Sequence, residues 1–420
     1  MTRNYLLSTA LGLCIATPAL AVEQADVLTT YADIAAANYD DARITAVALQ
    51  SAVDALIADP SAEALQAAKT AWLAARVPYQ QTEVFRFGNA IVDDWEGKVN
   101  AWPLDEGLID YVDLSYGGAT DENHFAALNV VASPAFTLSG TEVDASAITP
   151  ELLAETLHEA DGVESNVATG YHAIEFLLWG QDLNGHGAGA GSRPWTDYAA
   201  GEDCTGGNCD RRAAYLKAAT DLLVSDLEWM AAQWVEGGDA RAALSETDAT
   251  GISAILTGMG SLSYGEQAGE RMRLGLMLND PEEEHDCFSD NTHNSHYYDG
   301  LGIQNVYLGE YIRVDGTLVT GPSLSDLVAE TDAALDAEVQ SKLATTMLAL
   351  GRIKSTAEAG FAYDQMLERG NAGGEALIMG GVNGLIDQTR SFERVVAALG
   401  VDQIAFEGSD SLDAPEAVFK

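Results

Sequence analysis

The chain has 420 residues, enough for two domains that each bury a core. Asp and Glu number 65 against 21 Lys and Arg, a net charge of -44, so the surface repels nucleic acid and anionic lipid and attracts cations. Solubility, or a salty medium, accounts for acidity on this scale, so charge alone does not locate a cation site.

Residues 1–4 carry one Arg, residues 5–16 are largely apolar, and Ala19, Leu20 and Ala21 form a small-x-small cleavage signal. This order predicts a signal peptide over residues 1–21, a mature start at Val22, and an exported, soluble protein. Leu13 is too bulky to precede a lipidated Cys14. No other stretch is long and apolar enough to span a membrane.

Val27, Leu28, Tyr31, Ile34, Ala35 and Tyr39 repeat at helical spacing, which predicts a helix over residues 27–57. Ser61 follows Pro60 and caps a second helix over residues 62–76. After a kink at Pro78, residues 79–87 continue as helix and carry Glu83 and Arg86. Residues 88–118 read as a long irregular segment, a common place for function. There, Asp105 and Glu106 offer two carboxylates beside Trp102 and Pro103.

Helices are expected over residues 150–162 and 163–180, then a Gly-rich turn region, then helices over 210–235, 252–278, 324–359 and 376–399. Glu266, Glu270, Arg271 and Arg273 read as salt-bridge partners. No convincing run of alternating strands appears, so the fold expected is all-α. Each half offers about four helices, predicting two four-helix-type bundles side by side, over residues 22–200 and 201–420.

Three cysteines remain after signal removal. Cys204 and Cys209 flank a short Gly-rich loop and suit a local disulfide in an oxidising compartment, leaving Cys287 unpaired. A thiolate metal site is the alternative.

The chemistry centres on residues 170–180, apolar except for His172 and Glu175. At i and i+3 these share one helix face. A buried carboxylate needs a cation or hydrogen-bond donors. A metal held by both residues meets that need, as in helical bundles that project carboxylates and His inward; a structural His–Glu pair meets it too. The run 282–296 holds His285, Asp286, Asp290, His293 and His296. It reads as a second cation site or as a polar loop bonded to itself. Tyr297 and Tyr298 beside it are expected to pack.

Gly170, His172 and Glu175 resemble the Gly-x-His-x-x-Glu signature of the imelysin-like family. The segments around Trp72 and Arg76, Thr82 to Gly88, Trp102 to Glu106, Cys204 to Arg212, Gly258 to Glu270 and Glu284 to His296 resemble its iron-regulated branch. The resemblance covers nearly all of the mature chain. It implies two helical bundles, periplasmic export, a link to iron uptake, and a site near the bundle interface containing His172 and Glu175.

The family was first described as peptidases, but the spacing here does not follow the usual zinc-peptidase helix. That helix carries two His at i, i+4 with a Glu beside the first; here Ala173 follows His172 and Phe176 holds the fourth position. Phe176 also excludes the inverted motif. Carboxylates suit ferric iron and imidazole suits ferrous iron, so iron in either state, or another divalent cation, is the expected ligand. Glu83 is the first choice for a further ligand, then Asp105 and Glu106. Their structural alternatives are a salt bridge from Glu83 to Arg76 or Arg86, and a loop or helix cap at Asp105. The function expected is a non-catalytic metal-binding protein of iron uptake or homeostasis. Its partners would be the metal ion and an inner- or outer-membrane iron transport component, without nucleic acid. The alternatives are a metallopeptidase and, more weakly, a polysaccharide binder that uses bridging cations.

Overall fold

The computed structural model describes residues 21–121, 123–244, 247–401 and 404–419. Residues 1–20 of the expected signal peptide lie outside the described residues. Nine long helical elements frame the molecule among the described residues: α1 (Gln24–Ala58), α2 (Ala62–Gln80), α3 (Ala90–Asn100), α4 (Gly170–Trp179), α5 (Cys209–Trp234), α6 (Asp248–Ser261), α7 (Thr292–Leu308), α8 (Leu324–Glu358) and α9 (Ala372–Leu399). The α6 rod runs on through a wider, π-helical stretch, Leu262–Leu274, into Gly275–Leu278.

Local chemistry sets several of these limits. Ser61 accepts from the Ala64 N–H at the start of α2, and Ser323 with Asp326 forms a capping box at the start of α8. Pro78 sits within the last turn of α2 rather than breaking it. The expected continuation over 79–87 is only a 3₁₀ turn, Glu83–Phe85. The expected irregular segment contains α3, which starts where the Asn89 side chain accepts from the Ile91 N–H.

The fold is all-α. Two short antiparallel hairpins, Ala135–Leu138 with Thr141–Asp144 and Glu310–Ile312 with Leu318–Thr320, are additions to the sequence expectation. With three or four residues per strand, mostly exposed or half-buried, they leave little alternating pattern to read.

The helices gather in two bundles. α1 lies along α2 and α5, with α4 seated on α2 and α5. The π-helical stretch, α7, α8 and α9 form the second, and α7 also rests on α2. α5 follows residue 200 in the chain yet packs in the first bundle. The larger core includes Trp72, Trp234, Tyr39 and Phe85. A smaller one gathers Met272, Leu350, Ile353, Met366, Ile378 and Leu385. Fully burying an aliphatic side chain such as Leu177 contributes about 2 kcal/mol. No helix of the described residues is long and apolar enough to cross a membrane. Cys204 and Cys209 are joined by a disulfide, and Cys287 is free.

Candidate functional site

Every residue of α4 is buried. Gly170 opens it at φ 79°, and a Cβ there would stand 2.4 Å from the Val99 carbonyl oxygen. A side chain at this position would therefore face both backbone strain and a clash, which explains a glycine two residues before His172. The helix is held at several points. Trp72 Nε1 donates to the Tyr171 carbonyl at 3.0 Å, Tyr198 Oη to the Leu177 carbonyl at 2.6 Å, and Tyr215 Oη to the Ala168 carbonyl at 2.9 Å.

On this fixed helix His172 Nδ1 lies 3.1 Å from Glu175 Oε2. The other Glu175 oxygen accepts from the Ser289 N–H at 2.9 Å and the Ser289 hydroxyl at 2.6 Å. With Glu175 accepting from Nδ1–H, the lone pair of His172 sits on Nε2, which is buried and has no hydrogen-bond partner. The His285 ring stands edge-on to His172, centroids 4.8 Å apart. Its Nδ1 is 2.7 Å from Ser295 Oγ. Asp286 Oδ1 lies 3.9 Å from His172 Nδ1 and 3.8 Å from His285 Nδ1. One ligand atom from each of His172, His285 and Asp286 falls within 4.8 Å of the others. Asp286 also takes Arg76 through both oxygens, at 2.7 and 3.3 Å.

Burial, then the charges of Arg76 and Arg271, hold His172 well below the usual imidazole range. Burial, with Arg271 and His172 adding, does the same to His285. Both rings are thus neutral near pH 7, the form that binds metal. Burial and then the Asp286 charge push Glu175 well above the usual carboxyl range, opposed by the Ser289 hydroxyl. His172 and His285 line a cleft of ≈ 350 Å³, together with Trp102, Asp105, Glu106 and Cys287.

The structure distributes the other expected residues. Asp105 and Glu106 reach the cleft wall but not the cluster. Asp105 accepts from the Ser165 hydroxyl at 2.7 Å, the Tyr116 hydroxyl at 3.1 Å and the Asn123 amide, and makes no side-chain cap on the following helix. Burial pushes Glu106 up. Glu83 is paired with Arg271 at 2.7 Å, not with Arg76 or Arg86. The same guanidinium takes Glu266 at 2.7 Å and Asp299 at 3.2 Å.

The 282–296 run does not form one cluster. His285 and Asp286 join His172, while Asp290 lies with Asp182 and Asp364. His293 Nε2 is 3.0 Å from the Asn294 amide, and His296 packs edge-on against Tyr363, centroids 5.1 Å apart. Ser289 and the Arg76–Asp286 pair complete the site. Their sequence neighbours carry no spacing signal for it, because the segments meet only in the tertiary fold.

The molecule is therefore an all-helical protein with a buried His–carboxylate cluster opening on a cleft. The imelysin family model (peptidase M75) matches residues 35–392, and the chain belongs to the imelysin family. It is similar to iron-regulated protein A of Synechococcus elongatus, 35% identical over 68 residues, which is 16% of this chain and 19% of that relative. A solved structure described as an iron-regulated protein A precursor, from Parabacteroides distasonis, superposes with TM-score 0.63 at 17% identity, covering 91% of this chain and 97% of that one. An imelysin-like protein from Psychrobacter arcticum superposes with TM-score 0.59 at 17% identity, covering 93% and 100%. These two likenesses are of fold.

Proposed function

We propose that this protein is an exported, non-catalytic binder of ferrous iron or a similar divalent cation, working in periplasmic iron uptake or homeostasis. His172, His285 and Asp286 would hold the ion, with Glu175 orienting His172. The observation that carries this reading is the buried, unpartnered Nε2 of His172 beside a second neutral imidazole and a carboxylate. Imidazole with carboxylate suits ferrous iron. A carboxylate on the far side of a ligating His is the usual support for such a ligand.

Two features favour binding over hydrolysis. Both Glu175 oxygens are engaged, one with His172 and one with Ser289, which favours a positioning role for Glu175 over that of a general base. Arg76 already neutralises part of the Asp286 charge, which tempers cation affinity and suits a cargo that must leave. The cargo would pass to a membrane transport component.

The test is anaerobic calorimetric titration of ferrous iron into mature protein, His172→Ala and His285→Ala, beside a peptide-cleavage assay. Each variant should bind about ten-fold or more weakly. Equal binding by all three would rule out this site. Cleavage by wild type that both variants lose would favour the peptidase reading.

A further inference from the structure

A second group of carboxylates shares no residue with the His172 cluster. Asp182 follows α4, Asp290 precedes α7, and Asp364 lies in the short helix Tyr363–Leu367. One oxygen from each falls within 4.8 Å of the others. Acidic clusters on a surface are ordinary, and an acidic protein has many. This one is distinguished by what is buried beside it. Asp364 is 2% exposed, and its Oδ2 has no hydrogen-bond partner. Glu284 is also 2% exposed and has no basic partner among the described residues, with only the Thr292 hydroxyl beside it to favour its charged form. The charges of Asp364 and Asp290 both act on it.

The geometry holds these groups ready. Asp182 Oδ1 accepts from the Asn184 N–H at 2.8 Å, Asp290 Oδ2 from the Gly189 N–H at 3.0 Å, and Asp364 Oδ1 from the Gln365 N–H at 2.9 Å. Each carboxylate is thus pinned through one oxygen, with the second outside that bond. Among the described residues, no Lys, Arg or His forms an ion pair with any of the four acids. Burial and then the Asp290 charge push Asp364 up to about 7, opposed by the Gln365 N–H.

We propose that Asp182, Asp290 and Asp364, backed by Glu284, bind a calcium-class divalent cation that ties the Gly-rich loop after α4 and the segment before α7 to the Tyr363–Leu367 helix. The four acids offer oxygen alone, which selects a hard cation. Ligands gathered from three separate segments suit the adaptable shell of calcium better than the strict octahedron of magnesium. The nearby His186 is not part of the cluster; its Nδ1 lies 3.1 Å from the Asp364 carbonyl oxygen. The cation would fix the second bundle to the loop that leaves the signature helix.

The experiment uses mature protein stripped with EDTA, followed by calorimetry and thermal unfolding with CaCl₂ and with MgCl₂. Wild type should bind calcium and unfold several degrees higher with it, by preferential binding to the folded state. Asp364→Asn and Asp290→Asn should each bind calcium about ten-fold or more weakly and lose most of that rise. Without calcium they should unfold no lower than wild type, because repulsion is relieved. If Asp364→Asn does not fold, the half-buried Asp182→Asn supplies the same comparison. His172→Ala should keep the full calcium response, which separates this site from the iron site. No calcium binding by wild type, or equal binding by the variants, would overturn the proposal.

Discussion

Glu175 stands between His172 and Ser289, with one carboxylate oxygen 3.1 Å from the imidazole Nδ1 and the other 2.6 Å from the serine hydroxyl. An ionised Glu175 accepts from Nδ1–H and so leaves the lone pair of His172 on the buried, unpartnered Nε2.

From that relationship, Glu175→Gln should lower ferrous affinity about 10–100-fold, because an amide no longer accepts reliably from Nδ1–H. Helix content should be unchanged, since the amide keeps the side-chain volume. Calorimetry with far-ultraviolet circular dichroism measures both. Affinity equal to wild type would show that Glu175 is only a structural partner.

Arg76 and Asp286 are a fully buried ion pair. Arg76→Met should destabilise the fold by about 3–5 kcal/mol, since Asp286 is left charged and without its partner. The double variant Arg76→Met, Asp286→Leu should recover much of that loss. Urea unfolding checks the pair, and a double variant as unstable as the single one would contradict the assignment of the penalty to the stranded charge.

Glu83 belongs to another network, with Arg271, Glu266 and Asp299. Glu83→Ala should cost about 3 kcal/mol or more, because it removes one partner of a buried guanidinium. It should leave ferrous affinity unchanged. Urea unfolding and iron titration of the same preparation give both readings, and a large loss of affinity would return Glu83 to the metal site.

The parts legible in the sequence are those encoded locally. The α1 period, the Ser61 cap, the His172–Glu175 face and the Cys204–Cys209 loop all depend on residues within a few positions of one another. The α3 start was legible too, in Asn89, but the Trp, Gly and Asp residues around it obscured the pattern. The rest depends on distant segments. Glu83 meets Arg271 across 188 positions, and Ser289 meets Glu175 across 114. The 282–296 run looked like one site because its residues are close in sequence. Instead, Asp290 takes a left-handed backbone conformation at φ 61°, just before α7 begins. His285 on one side of that bend meets α2 and α4, while His296 on the other faces Tyr363 and the second core.

The pH dependence of stability can be assigned at Glu96, buried near Arg86, Glu83, Arg271 and Glu266. Burial first, with Glu83 and Glu266 adding and Arg86 and Arg271 opposing, pushes it from 4.5 up to about 7. Between those values the folded state keeps a proton that the unfolded state has released. Stability contributed by this group is therefore present below pH 4.5 and lost as pH rises toward 7. The buried imidazoles act in the opposite sense: His296, held down at about 3 by burial, favours the folded state more as pH rises toward 6.5. The net curve mixes both, so the test is a difference. Relative to wild type, Glu96→Gln should gain stability by up to about 1.4 kcal/mol per pH unit between pH 5 and pH 7. Urea unfolding of both proteins at half-unit steps measures it. A difference that stays flat across that range would mean that Glu96 is already ionised in the folded protein.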